Sequence, residues 1–299
     1  MGYPNFPNFP PPMGAWGQPD PGHIPLRALA IGDLLGAGLG VVWRHITLLA
    51  PIAIVISALS SAAEILVLHA TGALQAVASG AWIDDLLAGM GAGRAKALPV
   101  GLYVSTTVGS LITVAGTLLL TAAVAACAGS DAVSRSPRRG DVAARLRHGL
   151  GAATVVALLT AVAIVVGSFL LIVPGLVAFT VWSLAGPAAV MEGSGPDTAL
   201  ARAARLSRGH RWRILGATLL ILIITVAIET VISSIVVALM PGLSDVAALI
   251  VGDAATVVVS GVTMPWVASV IALLYVDIRL RTENLGPALR AHAARLAQT

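Results

Sequence analysis

Six long apolar segments dominate this sequence and constrain its fold more than any other feature. A helix needs about 20 apolar residues to cross a hydrocarbon core of about 30 Å, and most of the segments reach that length. Apolar residues make up 57% of the chain and charged residues 11%, against about 45–50% and 25% in soluble domains. Because a soluble fold could not bury this surface, the sequence predicts an all-α polytopic transmembrane helical bundle. The predicted spans are residues 46–68, 99–128, 152–173, 176–191, 214–240 and 254–276.

Prolines predict two irregularities within these spans. Pro174-Gly175 is a tight-turn signal, so we expect the third span to end there. Pro265 lies inside the sixth span, where we expect a bend or a break. The single cysteine, Cys127, excludes an internal disulfide and a multi-cysteine metal site. We expect it to pack between helices.

Polar tails flank the apolar region. Residues 1–25 contain eight prolines and too few apolar residues to form a core, which predicts a disordered tail. This tail lacks the basic segment and apolar stretch of a signal peptide. We therefore divide the chain into this tail, a six-helix transmembrane domain at 26–285 and a cytoplasmic tail at 286–299.

Three shorter segments, at residues 31–44, 141–150 and 197–208, are amphipathic. Each places apolar residues on one face of a helix and charged residues on the other, which is typical of helices at a membrane surface. Each precedes a pair of spans, so the chain is predicted to contain three similar hairpins. Residues 71–98 are interpreted as an exterior loop with some interfacial helix. The predicted apolar face of the first segment consists of Ile31, Leu34, Leu35, Leu39 and Val42.

Basic residues are concentrated in alternate connections between the spans. If the N-terminus is cytoplasmic, 16 of the 18 lysines and arginines lie on the cytoplasmic side, and only Arg94 and Lys96 lie outside. By the positive-inside rule, this pattern predicts cytoplasmic N- and C-termini. The predicted location is the bacterial cell membrane. Basic residues beside apolar spans favour contact with anionic lipid headgroups and argue against a nucleic-acid partner.

A series of short motifs resembles a known family. In order along the chain, the motif residues are Pro25-Leu26-Arg27, Ile31, Asp33-Leu34-Leu35, Val173-Pro174-Gly175, Pro187, Glu192, Ala199-Leu200, Ser207-Arg208-Gly209, Trp212 and Tyr275-Val276-Asp277-Ile278-Arg279. Over about residues 25–285 the chain resembles the membrane domain of glycerophosphoryl diester phosphodiesterases and related stand-alone bacterial membrane proteins. The resemblance implies a six-helix integral domain of the cell membrane, largely without assigned activity. The soluble barrel found in some relatives needs about 250 residues and is not expected here, so the family name does not predict phosphodiesterase activity.

Two carboxylates inside predicted spans are candidate functional groups. A charged side chain at mid-helix costs about 2.5–3.5 kcal/mol on insertion scales, so such residues commonly mark proton or ion sites. At about 1.5 Å per residue, Glu229 and Glu64 are both expected in the outer half of the membrane. The alternative is structural: Glu229 pairs with a nearby hydroxyl or stays protonated, and Glu64 reaches headgroup water.

The second span carries a stripe of hydroxyl residues at helical spacing. Thr113 and Thr117 lie at its centre and could line a path for a polar substrate. Such stripes more often mediate contact between helices, because small hydroxyl residues permit close approach. Both interpretations remain open. The complete stripe is Thr106, Ser110, Thr113, Thr117 and Thr121.

The arginines of the second and third amphipathic segments are candidate contacts for anionic lipids or a partner protein. Each arginine near a membrane surface contributes about 1 kcal/mol of lipid binding. The simpler interpretation is that these residues only set topology. The candidates are Arg145, Arg147, Arg202, Arg205 and Arg208.

Enzymatic activity is not expected from the motifs. The sequence lacks a zinc-protease helix, a serine-hydrolase elbow, a Walker loop and a dinucleotide fingerprint, and no cofactor or metal is predicted. Asp253 and Asp277 are too far apart on one helix, about 36 Å, to form an aspartyl-protease pair. Our leading hypothesis from the sequence is a non-catalytic scaffold or accessory protein that contacts lipids or partners at the cytoplasmic face. The competing hypothesis is a small transporter or permeation pathway that uses Glu229 and the hydroxyl stripe.

Overall fold

The computed structural model describes residues 29–91, 98–133 and 139–283. The described part of the chain is built from helices joined by short turns, so the all-α prediction is confirmed. The expected disordered N-terminal tail lies outside the described residues. In chain order the helices are α1 (Ile31–Arg44), α2 (Ile46–Ala70), α3 (Leu74–Ala78), α4 (Ala81–Gly91), α5 (Val100–Val133), α6 (Arg139–Leu170), α7 (Ile172–Trp182), α8 (Ala185–Glu192), α9 (Pro196–Leu206), α10 (Arg211–Ala238) and α11 (Asp245–Glu283).

Six helical segments are long and apolar enough to cross a membrane, as the sequence predicts. The chain is therefore a multi-pass membrane protein. The fourth segment consists of two helices, α7 and α8, which are separated by a turn at Ser183 and Leu184. The six segments are Ile46–Ala70, Val100–Cys127, Gly149–Ser168, Val173–Glu192, Arg211–Ala238 and Asp245–Glu283.

Helix α11 lies at the centre of the bundle and packs against α1, α2, α5 and α10. Its second half is almost entirely buried, from Ser260 to Ile278. Of the bend or break expected near Pro265, the break does not occur, because α11 continues as one helix through that residue. The helix also begins at Asp245, nine residues before the predicted start of the span.

The turn between the third and fourth spans lies earlier than Pro174-Gly175. The chain leaves helical geometry at Leu171, and Pro174 belongs to the first turn of α7. Proline is tolerated there because the first amide groups of a helix have no intrahelical acceptor. Gly175 is instead a close-packing position, since a Cβ at that residue would overlap Ser168 of α6.

Two of the three amphipathic segments form separate helices. The first, α1, buries Leu34, Gly38, Val41 and Val42, whereas Ile31 is exposed. The predicted apolar face is therefore only partly correct, because Gly38 brings α1 close to α11 and turns its neighbours inward. The third segment is α9. The second is continuous with the membrane-crossing helix α6, so the expected plan of three similar hairpins, each with its own amphipathic helix, is wrong.

The bundle has two chemically different ends. The start of α1, helix α9, the start of α10 and the end of α11 meet at one end, which we call the basic end. Its described arginines are Arg202, Arg205, Arg208, Arg211, Arg213, Arg279 and Arg281. The opposite end contains α3, α4, the turn between α10 and α11, and the start of α5.

Candidate functional site

A cavity of about 320 Å³ lies inside the bundle between α2, α5, α10 and α11. We call it the polar cavity, because three carboxyl groups and nine hydroxyl groups line it. Its volume is at the lower end of the range for small-molecule sites, about 300–1,000 Å³. The polar lining residues are Glu64, Glu229, Asp253, Ser57, Ser60, Ser61, Thr113, Thr117, Thr225, Thr256, Ser260 and Thr263.

Glu229 of α10 is the carboxyl group of the polar cavity that lies farthest from the opposite end. The hydroxyl of Thr263, which is buried on α11, donates a hydrogen bond to its Oε1. Glu229 lies nine residues before the end of α10 at Ala238, about 13 Å along the helix axis. Glu229 therefore pairs with a nearby hydroxyl, as the structural interpretation expected. It also faces a cavity, as the functional interpretation expected.

Glu64 of α2 lies beside a hydroxyl pair that joins α2 to α5. The Ser60 and Thr113 hydroxyls share a hydrogen bond of 2.9 Å, and Ser60 Oγ is 3.3 Å from Glu64 Oε1. Gly109 makes room for the carboxyl group, because a Cβ at that position would overlap the Glu64 side chain. Ser60 Oγ also lies 3.0 Å from the Gly109 carbonyl oxygen. This contact holds α2 close to α5 at the edge of the cavity.

Asp253 of α11 is the acidic group that sequence reasoning missed as a site residue. The Ser61 hydroxyl donates to its Oδ2, which ties α11 to α2. The sequence feature that could have identified Asp253 is its position, one residue before the predicted start of the sixth span. Because α11 begins at Asp245, Asp253 lies about 12 Å into the helix and inside the bundle.

A second, larger cavity of about 630 Å³ adjoins the polar cavity toward the opposite end. We call it the vestibule. The two cavities share Glu64, Asp253 and Thr256. The remaining vestibule residues come from the ends of α2 and α10 and the beginnings of α5 and α11, together with Val77 of α3. Because they adjoin at these three residues, we call the two cavities together the route, which extends from the opposite end to Glu229.

This route is closed toward the basic end. Beyond Glu229 the cavity is lined by Met264 and Val267 of α11, both buried. The next turns of α11 belong to the packed core around Ile271 and Leu274. Packed residues therefore separate the polar cavity from the basic end, whereas the vestibule adjoins the cavity toward the opposite end.

The hydroxyl stripe of the second span lies partly along the two cavities and partly in packed helix contacts. Thr113 and Thr117 line the polar cavity, and Thr106 lines the vestibule. Thr121 is buried and donates to the Thr117 carbonyl oxygen of its own helix. The polar-path interpretation thus fits part of the stripe, and the packing interpretation fits its inner end.

The arginines predicted to contact lipids are placed differently from one another. Arg202 binds the carboxyl groups of Glu192 and Glu283, so its guanidinium is engaged within the bundle. Arg205 and Arg208 are exposed on or just after α9. The side chains of Arg145 and Arg147 lie outside the described part of the structure.

Several of the family-like motif residues meet at the basic end. The Tyr275 hydroxyl donates to Glu192 Oε1 over 2.6 Å, and Arg279 lies over the Tyr275 ring with 5.5 Å between Cζ and the ring centroid. Arg279 also donates to Glu283 over 2.8 Å. These residues connect the end of α8 to the end of α11, far from the polar cavity.

No protein-family model matches the sequence, and no curated protein or solved structure matches it significantly. The resemblance to the membrane domain of glycerophosphoryl diester phosphodiesterases therefore stays a prediction that depends on the motif residues alone.

The chemistry available in the polar cavity is the binding of a positive charge. Of the described residues that line the two cavities, none is basic. Within the described ranges, no group of three acidic, histidine or cysteine side chains converges closely enough to hold a metal ion. Glu64, Asp253 and Glu229 are instead distributed along the route, which suits a cation that interacts with one or two carboxyl groups at a time.

Proposed function

We propose that this protein is a small transporter that binds a cation in the polar cavity. The observation that carries the proposal is the position of Glu229, in a cavity inside the bundle that adjoins the vestibule toward the opposite end. Three carboxyl groups placed within membrane-crossing helices are costly, since one charged side chain at mid-helix already costs about 2.5–3.5 kcal/mol on insertion scales. A bound cation offsets that cost, which gives the arrangement a physical purpose.

The one-sided access fits one state of a transport cycle. In alternating access, a central site opens to one side of the membrane while packed helices close the other. Here the closing layer is formed by Met264 and Val267. Movement of α10 relative to α11 would open this layer, since Glu229 and Thr263 join the two helices at that depth.

We further propose that the basic end faces the cytoplasm and that the bundle resides in the bacterial cell membrane. Arginine-rich segments are retained on the cytoplasmic side during insertion. With this orientation, the vestibule opens to the exterior, so a small cation such as tetramethylammonium enters the cavity from outside the cell.

Uptake of radiolabelled tetramethylammonium into proteoliposomes tests the transport proposal. The full chain is expected to show saturable uptake. Glu229→Gln should lower it about tenfold or more, because the neutral amide removes the coulombic attraction between the carboxylate and the quaternary cation, about 4 kcal/mol for a pair about 4 Å apart at an effective dielectric constant of about 20. Gln keeps the size of the side chain and can accept the Thr263 hydrogen bond. Asp245→Asn, at the exposed start of α11, is the matched control and should leave uptake unchanged. Equal uptake in protein-free liposomes, or in wild type and Glu229→Gln, would refute the proposal.

A scaffold role at the basic end remains a second candidate. The exposure of Arg205 and Arg208 favours it, because these side chains are available to lipid phosphates or an acidic partner. This role is compatible with transport, since it uses the other end of the molecule.

A further inference from the structure

On one side of the polar cavity, between α5 and α10, helix packing does not close the bundle in the described structure, and we call this gap the side opening. Helix α10 packs mainly against α11, whereas α2 and α5 pack against each other and against α11. In the described structure α10 does not pack along its length against α2 or α5. The cavity lies between these two walls, with α11 as its floor.

The rims of this side opening are exposed apolar and hydroxyl residues. On α10, Leu222 and Val226 line the cavity and are 41% and 56% exposed. On α5, Thr113 lines the cavity and is also exposed. Leu222 lies about 16 Å from the start of α10, and Thr113 about 20 Å from the start of α5. The opening therefore lies at mid-span depth, where the surroundings are hydrocarbon.

We propose that the polar cavity takes an amphipathic ammonium ion, whose head binds among Glu229, Glu64 and Asp253 while its apolar tail passes between α5 and α10 into the bilayer. This inference rests on the proposed cation site and names its substrate class. The head enters from the side of the bundle, and the vestibule supplies water to the cavity.

The size and chemistry of the cavity fit a ligand whose charged head lies inside the cavity and whose apolar tail lies outside it. A volume of about 320 Å³ accommodates a small head group, but it does not accommodate a long hydrocarbon chain as well. The tail instead contacts the rim residues Leu222 and Val226. A phosphate group beside three carboxyl groups is electrostatically disfavoured, so the ligand carries a net positive charge and zwitterionic phospholipids are excluded.

Photolabelling of the full chain in lipid nanodiscs tests the proposal. The probe is a long-chain alkyltrimethylammonium with a diazirine in the tail next to the head, and the control probe is the uncharged alcohol of the same chain. Mass spectrometry should locate the cationic adduct at the rim, on α10 near Val226 and on α5 near Thr113. The alcohol should label exposed apolar residues generally, including Leu158 of α6. An identical distribution of adducts for the two probes would overturn the proposal.

Three variants separate this inference from the transport proposal. Glu229→Gln should lower labelling at the rim by about tenfold or more, because it removes the coulombic attraction to the quaternary head, and Asp245→Asn should not. Val226→Trp should narrow the side opening and lower rim labelling. If uptake depends on Glu229 but the cationic probe shows no preference for the rim, side entry is wrong and the transporter stands. If rim labelling depends on Glu229 but uptake is absent, the binding site stands and transport is wrong.

A second copy of this chain could instead cover the side opening. Disulfide formation between two Val226→Cys chains in nanodiscs, together with loss of the rim-specific cationic adduct, would identify that occupant and overturn the lipid-facing entry. Cys127 is buried, so a disulfide between two chains would form through the introduced cysteine.

Discussion

Arg213, near the start of α10, donates through Nε to Oδ2 of Asp277, near the end of α11, over 2.8 Å. Asp277 is fully buried, and Arg281 lies 3.0 Å from the same oxygen. The Leu29 amide donates to Asp277 Oδ1 over 2.8 Å, while the Leu29 carbonyl oxygen accepts from both arginines. One carboxyl group thus joins the segment before α1 to the fifth and sixth spans.

Asp277→Ala should destabilise the bundle strongly. The substitution leaves two guanidinium groups and the Leu29 amide without their common partner, and loss of one member of a buried ion pair costs about 3–5 kcal/mol. Unfolding free energy in detergent micelles measures the effect. Asp245→Ala removes an exposed carboxyl group at the opposite end and should change stability by no more than about 0.5 kcal/mol. Similar values for the two variants would show that the Asp277 contacts do not hold the helices together.

The arginines of α9 and the following turn should separate into two functional groups. Arg202→Ala should lower the unfolding free energy by about 1.5–3 kcal/mol, because Arg202 bonds to the carboxyl groups of Glu192 and Glu283. Its effect on sedimentation with anionic vesicles should be small. The double substitution Arg205→Ala with Arg208→Ala should weaken vesicle binding by about 1 kcal/mol per arginine without changing stability. Equal lipid binding by the double variant and wild type would remove the support for headgroup contact.

Cysteine labelling should reveal the orientation of the two ends. Because Cys127 is buried, single cysteines can be added to the native chain. In intact cells, a membrane-impermeant maleimide should label Leu243→Cys, in the turn between α10 and α11, and should not label Arg208→Cys. Permeabilised cells, in which both variants should react, provide the control. Labelling of Arg208→Cys alone in intact cells would reverse the proposed topology.

The membrane-crossing segments could be predicted because hydropathy and length are local properties of the chain. The effects of Pro174 and Pro265 were harder to predict. Proline is tolerated in the first turn of a helix and disfavoured in its interior, so its effect depends on where the helix begins. Pro174 lies in a first turn, and the packing of α11 against its neighbours keeps the helix continuous at Pro265.

The site was only partly predictable, for a different reason. Glu229, Glu64, Thr113 and Thr117 were recognisable as polar groups inside apolar spans, but the sequence does not show which of them face a common cavity. Asp253 was missed because its partner Ser61 is 192 residues away in the chain. The ion pairs of Arg202 were not predicted because Glu283, one of its partners, is 81 residues away in the chain.

By itself, the sequence determined that the chain forms six membrane-crossing helices, with arginine concentrated in alternate connections. Apolar length and charge placement act on each segment separately, so they need no knowledge of its neighbours. Tertiary structure alone decided that three carboxyl groups share a route, that α10 stands apart from α2 and α5, and that Asp277 joins three segments. These features depend on the rotation of each helix about its axis and on the distances between helices, which are set by side-chain packing between residues distant in sequence.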